Sequence, residues 1–349
     1  MNPSDIVTGY EPLDPDELET VHGDDRRPQT IADFVRQMKE TVDKLVRDGA
    51  SRGDVKLMNV AFKELRYALK VFNAYRNRRK VTVFGSARTK TENPSFAQSI
   101  EFGRLIAAAG YMVVTVAGGG IMEGAHIGAG HDNCLGLNIM LPFEQGANSV
   151  ISAAGERLVT LKYVFTRKLM FVKETDAVVL FPGGFGTLDE GFEVLTLVQT
   201  GKSHLFPIIC IDHPGGNYWK RWEEFINAEL LERKMISPED RALYLVTDSV
   251  EAAIKEVVKF HRVYHSMRYV KGDLILRLLK PLSAAVLEDL RKEFASIVVK
   301  GTIEQTGADP AEANEVELQQ LSRLRFRFDR RNVGKLRMMV DRINQQAEG

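Results

Sequence analysis

Between residues 80 and 265, short continuous apolar runs alternate with helix-patterned stretches, and this alternation limits the fold more than any other feature of the chain. The strand candidates are 81–84, 111–116, 135–141, 177–181, 206–211 and a weaker 243–246. Strands that are apolar at successive positions have both faces covered, and strands separated by helices belong to a parallel sheet. The expected fold class is therefore α/β, a Rossmann-like doubly wound parallel sheet. In such sheets ligands bind beyond the carboxyl ends of the strands, so the residues after each strand are where function is sought.

The flanks read differently. Residues 1–29 are acidic and contain Pro3, Pro12, Pro15 and Pro28, which suits a flexible arm. Residues 30–79 carry two amphipathic helices. Thr30 is a candidate N-cap before Ile31, Phe34, Val35, Met38, Val42, Leu45 and Val46; a second stripe runs through Leu57, Ala61, Leu65, Ala68, Leu69, Phe72 and Tyr75. Such stripes pack onto a neighbouring domain or a second subunit, so a homodimer or larger homo-oligomer is expected. The basic run Arg76, Arg78, Arg79 and Lys80 fits a solvated helix end, with a nucleic-acid patch as the alternative. Residues 266–349 read as a small α+β lobe, with strands at 273–279, 296–302 and 321–328 and helices at 282–294 and 334–344. Arg323, Arg325 and Arg327 alternate along the third of these strands, where they would either touch phosphates or form an ion-paired face.

Composition narrows the function. Lys+Arg and Asp+Glu both total 47, which leaves no charge excess to hold the chain on a nucleic-acid polymer or an anionic membrane. No apolar run reaches roughly 18 residues, and the N-terminus lacks the basic-then-apolar order of a signal peptide, so a soluble, cytoplasmic protein is expected. Cys134 and Cys210 lie in apolar stretches and read as reduced, buried thiols. The seven histidines are scattered, His126 and His131 forming the one weak pair, so neither a metal nor another cofactor is expected.

Three strand ends carry chemistry. The first reads Phe84-Gly85-Ser86-Ala87-Arg88, a tight turn with a hydroxyl and a guanidinium fork. The second reads Ala117-Gly118-Gly119-Gly120-Ile121-Met122-Glu123-Gly124, a glycine run opening a helix. It is not GxGxxG and has no acidic ribose-binding residue at the expected place, which disfavours a dinucleotide. The third, Pro182-Gly183-Gly184-Phe185-Gly186-Thr187-Leu188-Asp189-Glu190, places three glycines and a threonine hydroxyl at a helix N-terminus, with a carboxylate one turn on. Such a turn can cradle a phosphate. Thr187-x-x-Glu190 also has the spacing of a capping box, in which Glu190 would only satisfy backbone. Upstream, Arg167 and Lys168 are adjacent on a helix and project about 100° apart, so at least one lies against packed structure. An anionic ligand or an ion pair with Glu174 or Asp176 would compensate it.

Together the 84–88 turn, the glycine run through Met122-Glu123, Leu141-Pro142-Phe143-Glu144-Gln145, Arg167-Lys168 and the 182–190 motif resemble the LOG ("Lonely Guy") phosphoribohydrolases, whose bacterial members were long labelled possible lysine decarboxylases. The resemblance is strong over residues 80–202. It implies hydrolysis of the N-glycosidic bond of a nucleoside 5'-monophosphate, AMP or a cytokinin riboside monophosphate, to free base and ribose 5-phosphate. By position it implies Arg167 and Glu190 as the catalytic pair. Substrate contacts are implied at Glu144, Lys168, Gly183, Gly184, Phe185, Gly186, Thr187, Leu188, Asp189 and Thr196, joining Ser86, Arg88, Gly119, Gly120 and Met122 at the other two strand ends. One departure is Val116-Ala117-Gly118-Gly119-Gly120, where long family members usually carry a GGGPG-like run. Two other readings compete: a non-catalytic binder of a nucleotide or phosphate-bearing cofactor, and a lysine decarboxylase, for which Lys168 has no recognisable pyridine-binding partner.

Overall fold

The structure is a computed structural model that describes residues 30–139, 146–153, 155–312 and 315–345. The expected acidic arm at 1–29 lies outside the described residues. By internal contacts the chain divides into residues 1–59 and 60–349. In the first unit, α1 (Ile31–Arg47) starts at Thr30, whose hydroxyl accepts from Asp33 N while Asp33 returns a bond to the Thr30 backbone. This is a capping box, and α1 buries none of its residues. Helix α2 (Arg52–Asn73) begins in this unit and ends in the second, where Ala61, Ala68 and Phe72 are buried.

The second unit alternates strand and helix as the sequence predicts: β1 (Lys80–Phe84), α3 (Pro94–Ala108), β2 (Met112–Thr115), α4 (Ile121–Ala129), β3 (Cys134–Ile139), α5 (Ser149–Ser152), β4 (Leu158–Leu161), α6 (Val164–Glu174), β5 (Ala177–Leu180), α7 (Phe185–Gln199), β6 (Ile208–Ile211), α8 (Tyr218–Phe225), β7 (Tyr244–Thr247) and α9 (Val250–Phe260). The strands form one parallel sheet in the order β4-β3-β2-β1-β5-β6-β7. Val81 and Val83 enter one apolar core, and Phe84, Val178 and Leu180 enter another, so helices cover both faces of the sheet. Strand β4 was not expected; its four residues include the exposed Thr160 and leave no continuous apolar run. The order reverses between β1 and β5, which pair with Phe84 opposite Leu180. That is the topological switch point, where the loops leaving adjacent strands diverge and open a crevice.

After α9 the chain forms β8 (Tyr264–Val270), β9 (Asp273–Leu278), α10 (Ala284–Glu293), β10 (Val298–Thr306), β11 (Ser322–Phe328) and α11 (Val333–Gln345), with the four strands in an antiparallel sheet ordered β10-β11-β9-β8. Strand β8 is missing from the sequence reading because His265, Ser266 and Arg268 interrupt its apolar pattern. The arginines of β11 are ion-paired. Arg323 is fully buried against Glu312 at 3.1 Å, Arg325 meets Asp273 and Asp309, and Arg327 meets Asp273. No helix among the described residues is long and apolar enough to cross a membrane.

Candidate functional site

A cavity of about 1200 Å³ opens beyond the carboxyl ends of β1, β2, β3 and β5. Three loops are stitched together to form it. Ser86 N–H donates to Pro182 O at 3.1 Å, and Ser86 O accepts from Ile121 N at 3.1 Å, so the turn after β1 holds both glycine loops. Gly120 takes φ +60°, and a Cβ there would collide with the Ser86 carbonyl, so glycine is required at this crossing. Ala117 also has positive φ, at 62°; its N–H donates to Thr115 Oγ1 at 2.8 Å. This left-handed turn is thus made on an alanine held from both sides, since Asn148 N–H donates to Ala117 O.

The loop after β5 leads directly into α7. Its N-cap is Gly184, which offers no side-chain acceptor, while Thr187 lies inside the helix with its N–H on Gly184 O. Thr187 therefore caps nothing, and the capping-box alternative for Glu190 does not apply. The first amides of a helix have no intrahelical partner, so the start of α7 offers donors and positive dipole to an anion. Thr187 is buried beneath Gly183, where a Cβ would strike its hydroxyl.

Glu190, one turn further, is 4% exposed and stands 3.6 Å from the Arg167 guanidinium. Burial pushes its carboxyl up to about 7, against the pull of Arg167 and Lys168. Helix α6, which carries Arg167, starts at Tyr163 without a side-chain cap of its own. Glu64 of α2 fastens this end from a distance, accepting from Lys162 N just before the helix at 2.5 Å and from the buried Thr166 hydroxyl at 2.8 Å. Lys168 turns to α7 and pairs with Asp189 at 2.8 Å and Glu193 at 3.1 Å. Burial opposes its charge, but these carboxylates prevail and raise the ammonium above its ordinary value. Glu174 and Asp176 are engaged elsewhere, with Lys80 and Arg79 respectively, so the alternative pairing for Arg167 and Lys168 is corrected.

Of the residues singled out by sequence, Ser86 and Arg88 line the cavity from the first loop, Gly119 and Met122 from the second, and Gly183, Gly184, Phe185, Gly186, Thr187 and Leu188 from the third, with Arg167 and Glu190 beside them. Gly120, Lys168, Asp189 and Thr196 are not in its lining. Thr196 lies a turn and a half beyond Glu190, hence on another face of α7, and its hydroxyl donates to Phe192 O. Glu144 and its neighbours 141–145 lie outside the described residues.

Sequence reasoning missed Asn138, Asn148 and Tyr218, which also line the cavity. Asn148 Nδ2 donates to Gly118 O at 2.9 Å and meets His126 Nδ1 at 3.3 Å. His126 is a core residue whose pKa burial lowers to about 4, and His131 is partnered by Asp132 and Arg157. The carboxylate Asp212 just past β6 was the one signal for Tyr218, since strand ends are where this fold keeps its ligands.

A family model described as "Possible lysine decarboxylase" matches residues 119–257. The cytokinin riboside 5'-monophosphate phosphoribohydrolase of Mycobacterium tuberculosis is 26% identical over 170 residues, 47% of this chain and 87% of that protein. One of the same description from Arabidopsis thaliana is 33% identical over 91 residues, 26% of this chain and 41% of that protein. The chain spans about half the length, or less, of the plant relatives it matches. Among solved structures, the molybdenum cofactor binding protein of Rippkaea orientalis aligns at 19% identity and a TM-score of 0.36, covering 51% of this chain and 94% of that one.

Proposed function

We propose that the chain is a phosphoribohydrolase of the LOG family that hydrolyses the N-glycosidic bond of a nucleoside 5'-monophosphate, AMP or a cytokinin riboside monophosphate, to free base and ribose 5-phosphate. The observation that carries this reading is the buried Glu190 set against Arg167 at the wall of a cavity whose adjoining rim is a helix N-terminus of glycines. A phosphate seated on the Gly184–Gly186 amides leaves the ribose near the Glu190 carboxylate.

Glycosidic cleavage passes through an oxocarbenium-like state. The C1'–N bond breaks as water adds its oxygen to C1', and the proton released from that water ends on the departing base. Ionised Glu190 stabilises the positive sugar and orients the water. Arg167 is too basic to be a general acid; it anchors substrate and biases Glu190 toward its charged form. Ser86, Arg88, Gly119 and Met122 line the same cavity from the other two loops. Lysine decarboxylation is disfavoured, because a Schiff-base lysine must be neutral while Asp189 and Glu193 keep Lys168 charged.

The proposal includes a homo-oligomer acting in the cytoplasm. Phe165 and Leu169 of α6 and Phe185 and Phe192 of α7 are exposed on the two helices that carry Arg167 and Glu190, an apolar surface suited to a second copy of the chain. Incubation with AMP, GMP and a cytokinin riboside monophosphate, followed by chromatography, tests the activity. Release of free base supports it; binding of nucleotide without release makes the protein a carrier or sensor instead.

A further inference from the structure

We infer that Tyr218, through its hydrogen bond to the Gly183 carbonyl, is the positioning residue that fixes the phosphate cradle in its anion-binding orientation. This inference rests on the phosphate reading of the 182–190 loop and adds a residue that neither motif nor family resemblance marks.

The peptide between Gly183 and Gly184 is flanked by two residues without Cβ atoms. Rotation of such a unit meets little steric resistance, so the loop backbone alone does not select one orientation. A trans peptide is planar, with its C=O and N–H pointing in opposite directions. The Tyr218 hydroxyl donates to Gly183 O at 2.8 Å, and this directs the Gly184 N–H the other way. A flipped peptide would exchange that donor for an acceptor oxygen and repel a phosphate. Gly183 is also wedged between the Thr187 hydroxyl and the Ser86 backbone, which restrains the position of the residue but not the rotation of the peptide that follows it.

Tyr218 is itself firmly held. Its N–H donates to Asp212 Oδ2 at 2.8 Å, and Asp212 Oδ1 accepts from His213 N at 2.9 Å. The Asp212 carbonyl accepts from the buried Gln98 amide at 2.7 Å. The phenol ring stands edge-on to the fully buried Trp219, with centroids 4.9 Å apart. Trp219 contacts Trp222, which contacts Phe192 on α7. These are the only two tryptophans in the chain, so intrinsic fluorescence reports on this corner of the site.

The test is fluorescence titration of the full-length wild type and Tyr218→Phe with inorganic phosphate, ribose 5-phosphate, AMP and adenosine. One hydrogen bond of this kind corresponds to about 3- to 10-fold in affinity. Tyr218→Phe is expected to weaken ribose 5-phosphate and AMP by that factor, to leave adenosine unchanged, and to raise KM for AMP more than it lowers kcat. Equal weakening of AMP and adenosine would assign Tyr218 a general packing role and overturn the inference, as would unchanged affinities throughout. Failure of the wild type itself to take up any phosphate-bearing ligand would overturn the phosphate reading, and this inference with it.

Discussion

The Arg167 guanidinium lies 3.6 Å from the Glu190 carboxylate, and each side chain arrives from a different helix next to the β1/β5 switch point. The pair is nearly water-free on the Glu190 side, so its charge state is set by a contest between burial and the cations beside it. The chemistry of the site depends on how that contest resolves.

Catalysis by the ionised form of Glu190 gives a rising pH profile. With the carboxyl titrating at about 7, kcat/KM is expected to climb about tenfold per pH unit below that point and level off above it. A profile that falls above neutrality would instead make Glu190 a general acid. Replacing Arg167 by Gln removes a positive neighbour, so the residual activity should titrate at higher pH and kcat should fall by roughly 10²–10³.

Glu190→Gln separates function from folding. A carboxyl whose folded pKa is raised contributes stability that is full below its unfolded value and is lost as pH rises through the folded one. The wild type therefore carries the cost of a buried charge at pH 8, and the Gln variant does not. Thermal melts should place the variant at or above the wild type at pH 8, with turnover abolished. A lower melting temperature with activity retained would return Glu190 to a purely structural role.

Glu64 is expected to support catalysis from outside the cavity. Glu64→Ala removes the acceptor for Lys162 N and the Thr166 hydroxyl, which unfastens the start of α6. A loss of about 1.5–3 kcal/mol by denaturant titration is expected, typical of lost hydrogen bonds to a charged group, with kcat reduced because Arg167 sits on the loosened turn. Lys168→Ala, which removes ion pairs outside the cavity, should cost less than tenfold in kcat.

The accessory lobe has its own point of vulnerability. Glu312 is fully buried and accepts from both Arg277 and Arg323, so Glu312→Ala leaves the buried Arg323 without a carboxylate and Arg277 with Glu315 alone. Breaking a buried pair from one side costs about 3–5 kcal/mol. Urea melts should register that loss.

Much of this organisation was legible because it is written in periodicity. The apolar runs at 81–84 and 177–181 announced the two central strands, and the glycines at 183, 184 and 186 announced the turn between β5 and α7. The link from Arg167 to Glu190 was legible only through family resemblance, since 23 positions separate them and no local spacing rule spans two helices. Thr187 and Glu190 misled in the other direction: their spacing fits a capping box, but the helix begins two residues earlier at Phe185. Glu64 was invisible, and Tyr218 had no signal beyond its place after β6, because each acts by a hydrogen bond to backbone from a distant element, and backbone leaves no mark on the pattern of side chains. The ion-paired arginines of β11 were legible as one of two options, and Glu312, which decides between them, gave no periodic signal.

The most direct test is product analysis of AMP and of a cytokinin riboside monophosphate, each incubated with the wild type and with Glu190→Gln. Equimolar free base and ribose 5-phosphate from the wild type, and neither from the variant, is the predicted result. Intact AMP and intact cytokinin riboside monophosphate in both samples, or adenosine with free phosphate from the wild type, would contradict the assignment of an N-glycosidic hydrolysis to this site.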